Sequence, residues 1–162
     1  MKRLLSIIGA ITLLGTSTTS LTACNKVQEY TPEELTKLKA ENKINTDNQQ
    51  IKDNLEWIAP QEKPFNEVDN KWYYVVWRNN KNNDWRISKF KNNNILIPIA
   101  KGNYPNLGKF RDRLQISNSD TDRILLENDN GTYFKSVYRW NLDTQEPNLV
   151  IDNDGNIKVN GE

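Results

Sequence analysis

The chemistry open to this chain is narrow, because several reactive side-chain types are missing or occur once. Its 162 residues include no histidine and one cysteine, Cys24. These counts exclude a Ser-His-Asp triad, a Cys-His dyad, an intramolecular disulfide and a Cys/His zinc site. The 21 acidic residues show no spacing that singles out a pair held about 5–10 Å apart, as glycoside hydrolysis requires. We therefore expect no catalytic residues, no cofactor and no enzymatic activity, with a carboxylate-based hydrolase as the less favoured alternative.

One segment, residues 152–157, has the composition of a cation site, since it reads Asp-Asn-Asp-Gly-Asn-Ile. If Gly155 occupies position 6 of an EF-hand loop, aspartates fall at positions 3 and 5. Positions 1 and 12 are then Val150 and Gly161, so both essential ligands are missing. The segment predicts a plain hairpin turn and no metal site.

Aromatic residues are the best candidates for a binding surface. In a strand predicted over residues 72–78, even-numbered and odd-numbered side chains point to opposite faces. If a hairpin aligns Trp77 with Trp85, the odd-numbered set forms a core and the even-numbered set lies on an exposed, mixed face. Such a face can stack on sugar rings or anchor a protein partner. The predicted binding surface consists of Trp72, Tyr74, Arg86 and Phe90. The alternative is that both faces are covered, one of them by a helix.

The first 23 residues have the composition of a secretion signal. Lys2 and Arg3 precede an apolar stretch from Leu4 to Leu14, and small residues follow. The apolar stretch is well short of the roughly 20 residues that a spanning helix needs. Residues 1–23 are therefore predicted to be a signal peptide.

The end of this segment, Leu21-Thr22-Ala23-Cys24, resembles the lipobox of bacterial lipoproteins: an aliphatic residue, two small residues and a cysteine. The resemblance implies that a diacylglyceryl group is attached to the Cys24 thiol and that a signal peptidase cleaves between Ala23 and Cys24. Two acyl chains hold a protein to a bilayer where one is marginal. We expect a lipid anchor on the extracellular face of the cell membrane. The alternatives are a plain signal peptide with an incidental cysteine, or a retained N-terminal anchor.

A wider resemblance is to lipoproteins of wall-less mollicutes, spiroplasmas in particular. It depends on the leader, on the abundance of asparagine, lysine and isoleucine, and on two segments, 70–78 (Asn-Lys-Trp-Tyr-Tyr-Val-Val-Trp-Arg) and 85–91 (Trp-Arg-Ile-Ser-Lys-Phe-Lys). The resemblance extends over most of the chain. That group has no assigned activity, so the resemblance implies a location and no chemistry.

The nearly neutral charge of the chain limits the kinds of partner that we expect. The net charge is +1, and a chain beginning at Cys24 has 20 basic and 21 acidic side chains, since residues 1–23 hold Lys2, Arg3 and no acid. Nucleic-acid binding usually needs a concentrated basic face, so we expect none. The expected partners are the membrane, through the N-terminal lipid, and an unidentified protein or glycan.

The elements before residue 60 are predicted to be helical. Thr31-Pro32-Glu33-Glu34 combines an N-cap, a proline at the first helical position and a capping box. A short isolated helix is marginal in water, so residues 24–45, which begin with the acylated cysteine, are predicted to be a polar, partly helical tether. A second helix is predicted from Thr46 to about Ile58, where Pro60 follows. Its buried face would be Ile51, Leu55 and Ile58.

From about Lys71 the pattern alternates with the period of strands, and about eight strands follow. Pro98 favours an edge position for residues 95–100. Phe110, Leu114 and Ile116 alternate with arginines, which predicts one strand with one wet face. Asn130-Gly131 and residues 153–156 predict two hairpins. The fold class is therefore α+β: residues 46–162 form a small, mainly antiparallel β-meander domain with one covering helix.

Overall fold

The structure, a computed structural model, describes residues 29–100 and 105–162. The predicted signal peptide and lipobox lie outside these residues. The described ranges contain two helices, α1 (Pro32–Glu41) and α2 (Gln49–Asn54), and two 3₁₀ turns, Pro60–Glu62 and Leu126–Asn128. They also contain ten strands: β1 (Leu55–Trp57), β2 (Trp72–Trp77), β3 (Arg86–Lys91), β4 (Leu96–Ala100), β5 (Asn106–Phe110), β6 (Arg113–Ser117), β7 (Arg123–Leu125), β8 (Phe134–Trp140), β9 (Leu149–Ile151) and β10 (Ile157–Val159).

The strands form three antiparallel sheets. The first sheet has the order β1-β8-β2-β3, the second has the order β4-β5-β6-β7, and β9 pairs with β10. The predicted β-rich domain with few helices is thus confirmed. The meander is present only in the second sheet, because β8 returns to lie between β1 and β2 in the first. Pro98 lies in β4, the edge strand of the second sheet, as the sequence predicts.

Two apolar cores lie on opposite faces of the first sheet. Odd-numbered residues of β2 face the second sheet and form the first core with β5, β6 and Phe65. Even-numbered residues of β2 form the second core with α2 and the β9–β10 hairpin. The molecule is therefore layered: second sheet, first core, first sheet, second core, and then α2 with the hairpin.

The start of α1 agrees with the sequence, and the extent of the second helix does not. Glu34 N–H donates to Thr31 Oγ1 at 3.3 Å, and Thr31 N–H donates to the Glu34 carboxylate at 2.9 Å. The prediction of one helix to Ile58 is wrong, because the chain becomes strand β1 after α2. Leu55 enters the second core and Ile58 enters the first. Residues three apart share one face of a helix, but in an extended segment they point to opposite faces of the sheet.

The predicted tether contributes to the folded domain. Ile44 is buried in the second core, and Thr46 is buried as well. Tyr30 N–H donates to Gln61 Oε1 at 2.7 Å, and Gln61 Nε2 donates back to Tyr30 O at 2.9 Å. The boundary predicted at residue 45 therefore moves toward the N-terminus, and the chain is attached to the domain from Tyr30 onward.

Two local predictions in the second half are wrong. Phe110 and Leu114 belong to different strands, joined by a two-residue turn, so Phe110 is exposed while Leu114 is buried. Asn130-Gly131 does not close a hairpin, because β7 pairs with β6 and β8 pairs with β2. The Asp129 carboxylate accepts hydrogen bonds from three N–H groups of residues 131–134 and shapes a crossover between the two sheets.

Candidate functional site

The structure does not bring the predicted binding surface together. Trp77 pairs with Arg86, one residue away from the predicted alignment with Trp85. Tyr73 therefore lies opposite Phe90, which places Phe90 and Tyr74 on different faces of the sheet. Both are buried, with exposed fractions of 4% for Phe90 and 1% for Tyr74. This prediction is corrected for a physical reason: each face of the first sheet is covered by another layer.

The other two predicted residues lie apart. Trp72 is half-buried on the side of the second core, and the Lys89 ammonium lies 5.5 Å from its ring centre. Arg86 is exposed on the opposite face, with its guanidinium 5.6 Å from the Trp77 ring. The four residues therefore form no common surface.

Trp85 shows how the tryptophans are used. The Arg78 guanidinium lies 4.2 Å from its ring centre, and the Lys135 ammonium lies 5.8 Å away. Gly155 approaches the same side chain so closely that an added Cβ would lie 2.7 Å from it. The five tryptophans are all described, and each is buried or half-buried. Cationic side chains lie over the rings of Trp72, Trp77 and Trp85, which disfavours sugar stacking on an exposed aromatic platform.

A polar cleft of about 510 Å³ lies where three separate segments meet above the second core. Its walls are residues 41–47, which connect the two helices, the start of β8, and the β9–β10 hairpin. The Tyr138 hydroxyl donates to Asn42 O at 2.9 Å, and burial raises the pKa of Tyr138 to about 12. The Thr46 hydroxyl bonds the Glu162 carboxylate at 2.7 Å. The cleft volume is within the roughly 300–1,000 Å³ of typical ligand sites.

The lining of this cleft is polar and carries both charges. Its charged residues are Glu41, Lys43, Asp47, Lys135, Lys158 and Glu162. Its amide side chains are Asn42, Asn45 and Asn156. Amide and hydroxyl groups both donate and accept hydrogen bonds. The arrangement suits a polar ligand, such as a peptide or sugar chain, better than an apolar one.

The outer face of the second sheet is apolar. Leu96 and Phe110 form a cross-strand pair on this face, and their exposed fractions are 50% and 48%. Ile95, just before β4, is 56% exposed. A shallow depression of about 560 Å³ runs past the next pair, Pro98 and Gly108. Contiguous exposed apolar surface of this kind commonly marks an interaction site.

A charged cluster fastens α1 to the first sheet. The Lys39 ammonium donates to the Glu56 carboxylate and, at 2.7 Å, to that of Glu62. Arg139 and Asn141 donate to the second oxygen of Glu56 at 2.8 and 3.2 Å. Burial would raise the pKa of Glu56, but the hydrogen bonds from Lys39 and Asn141 outweigh it and hold that pKa below its usual value. A catalytic acid needs a raised pKa, so the cluster has the properties of a structural clamp.

The substitution Glu56→Gln is expected to reduce the free energy of unfolding by about 1–2 kcal/mol near neutral pH. Since the folded-state pKa is the lower one, the ionised carboxylate contributes stability above its usual pKa of 4.5, and this contribution is lost as pH falls through the folded pKa. Urea unfolding as a function of pH measures this. The difference in the free energy of unfolding between parent and variant should become smaller as the solution is acidified. A difference that grows on acidification would contradict the lowered pKa of Glu56.

Residues 152–157 form the predicted hairpin turn. The Asp152 carboxylate accepts hydrogen bonds from the N–H groups of Asp154 and Asn156 at 3.0 and 2.9 Å. The bond from the Asn156 backbone is the main cause that lowers the pKa of Asp152. The carboxylate that a calcium loop would offer is therefore used by the turn. Within residues 29–100 and 105–162, no cluster of three or more acidic, histidine or cysteine side chains is placed to hold a metal.

Comparison with known proteins returns no relative: no protein-family model, no curated protein and no solved structure matches the chain. Neither described helix has the length and apolarity needed to cross a bilayer. Function is therefore inferred from residues and geometry. Sequence reasoning missed the cleft, because residues 41–47 and the β9–β10 hairpin are more than 100 residues apart and no local pattern marks them. The apolar outer face left a signal, the short apolar run at residues 95–100.

Proposed function

We propose that the protein is a lipid-anchored surface protein of the cell membrane that acts by binding, without catalysis, and that the polar cleft is its ligand site. The lipobox-like residues Leu21 to Cys24 support the anchoring, since the chain's only cysteine ends that motif. Acylation of Cys24 would hold the domain on the extracellular face of the bilayer. Resemblance to mollicute lipoproteins supports the same location.

The observation that carries the binding role is the cleft beside Thr46. Its floor is fixed by part-buried hydrogen bonds from Tyr138 and Thr46, whereas Asn45 and Asp47 lie at its rim and are exposed. A fixed floor with adaptable polar groups at the rim is the arrangement that small binding sites share. The acids that converge elsewhere, Glu56 and Glu62, are held by Lys39, which favours binding over hydrolysis.

The ligand class that fits is a polar segment of an envelope or host protein. A photo-crosslinking residue in place of Asn45, on living cells, tests this directly. We expect a discrete cross-linked product that the double variant Asp47→Ala, Lys158→Ala weakens. A matched control is Lys81→Ala with Asp84→Ala, which removes the same two charges from exposed residues outside the cleft.

Two outcomes would change the ligand class that is assigned to the cleft. Absence of any product from Asn45, with folding intact, would contradict a protein ligand. Binding of the purified chain to a glycan array, lost in the Asp47→Ala, Lys158→Ala variant, would assign the cleft to a sugar chain instead. The amide and hydroxyl groups of the lining would then hold the sugar hydroxyls by hydrogen bonds.

A further inference from the structure

The outer face of the second sheet combines apolar and cationic side chains. Cross-strand partners share a face, so the pairs Leu96–Phe110, Phe110–Arg113 and Ser117–Arg123 all point outward. Arg123 and Arg111 are exposed, and the Arg111 guanidinium lies 5.9 Å from the Phe110 ring. Arg113 is exposed as well, but its Nε lies 3.4 Å from the Glu127 carboxylate, which offsets its charge. The outward-facing partners in these strands include no acidic residue among those described. The face is therefore complementary to a surface that is apolar and negatively charged.

Arg111 occupies a position that favours glycine. It is the first residue of the two-residue turn between β5 and β6, and its φ is +57°. In turns of this kind the left-handed region is normally taken by glycine or asparagine, because a Cβ atom is strained there. This backbone conformation costs some stability, and it leaves the Arg111 guanidinium beside the exposed Phe110 ring.

The attachment of Tyr30 to the domain limits how far an anchor at Cys24 could lie from this end. Tyr30 is bonded to Gln61, and Pro60 lines a small cavity together with Asp112 and Arg113. The N-terminus of α1 therefore lies beside the β5–β6 turn. Five residues lie between Cys24 and Tyr30, so the two Cα atoms are six residue steps apart and at most about 20 Å from each other. An acylated Cys24 would hold this end of the domain within that distance of the bilayer.

We propose that the outer face of the second sheet docks on the anionic lipid surface to which Cys24 anchors the protein. Leu96 and Phe110 would enter the interfacial region, with Arg111 and Arg123 beside lipid phosphates. The polar cleft lies in the opposite layer and then faces away from the membrane. This proposal rests on the proposed lipid anchor and adds an orientation to it.

The test uses the acylated protein reconstituted in phosphatidylcholine vesicles with and without phosphatidylglycerol. Ser117→Cys and Ser136→Cys place single thiols on the outer face and in the cleft, and both serines are half-buried strand residues. Each thiol is labelled with a polarity-sensitive nitrobenzoxadiazole dye. We expect blue-shifted, brighter emission at position 117 only, stronger with phosphatidylglycerol and weakened by salt. Arg111→Gly should reduce the shift at 117 without lowering the melting temperature, since glycine relieves the strained φ.

The outcomes separate this proposal from the anchor. The parent chain should not react with the dye, because its only thiol is acylated. Labelling of Cys24 would contradict the proposed lipid anchor itself. If the parent stays unlabelled and the spectra at 117 and 136 are equal in both vesicles, docking is overturned while the anchor stands. A shift at 117 that disappears as the protein is diluted in the lipid would assign the face to a second copy of the chain and overturn the proposal too.

Discussion

Tyr74→Ala is expected to lower the free energy of unfolding by about 3–5 kcal/mol. The Tyr74 ring is 1% exposed in the second core, and its hydroxyl donates to Pro147 O at 2.6 Å. Burial is the main cause that raises the pKa of this hydroxyl, as a dry environment requires. The loss is a large share of the about 5–15 kcal/mol of a typical domain. Thermal unfolding should show a decrease on the order of 10–20 °C.

Two further variants separate packing from other causes. Tyr74→Phe keeps the ring and removes one hydrogen bond, so its cost should be about 1–2 kcal/mol. Phe110→Ala is the matched aromatic control, because Phe110 is 48% exposed. This substitution should lower the free energy of unfolding by only about 0.5 kcal/mol. If Phe110→Ala were as damaging as Tyr74→Ala, the assignment of buried and exposed faces would be wrong.

These two residues show where sequence reasoning stops. Alternation predicted a strand over residues 72–78, close to the observed Trp72–Trp77, because aromatic and β-branched residues dominate there. The predicted pairing placed Phe90 on the wrong face, since a register shift of one residue exchanges the two faces of a strand. Tyr74 is buried for another reason: α2 and the β9–β10 hairpin cover its face of the sheet. Five of the six residues of β2, from Tyr73 to Trp77, are buried. A strand of this kind has no polar face that would fix its pairing register.

Local signals predicted local structure well. The capping box at Thr31 and the turn at Gly155 depend on residues within a few positions of each other, and both are confirmed. Strand β1 could not be found in this way, because Leu55–Trp57 becomes a strand only through pairing with β8, more than 80 residues later. The polar cleft depends on the same kind of distant contact, between residues 41–47 and the β9–β10 hairpin.

Cys24→Ser is expected to abolish lipid attachment. A serine hydroxyl offers no thiol to acylate, so incorporation of radiolabelled palmitate should fall to background. When the chain is exported behind an ordinary signal peptide, the variant should move from the detergent phase to the aqueous phase. A single myristoyl chain already gives a partition constant of about 10⁴ M⁻¹, so the loss of two chains should reduce partitioning by more than about 10⁴-fold.

The matched control for this variant is Thr22→Ser. The lipobox needs only a small residue at that position, so palmitate incorporation and detergent partitioning should both remain at the parent level. If the Cys24→Ser chain instead entered the detergent phase as fully as the parent, membrane attachment would come from another segment. The orientation proposed for the second sheet would then lose its anchor point beside Tyr30 and Gln61.

The most direct measurement is the mass of the N-terminal peptide from protein purified out of its native membrane. The account predicts that this peptide begins at Cys24 and carries the added mass of a diacylglyceryl group on the cysteine sulfur. A peptide that begins at Met1, or one that begins near Cys24 with an unmodified thiol, would contradict it.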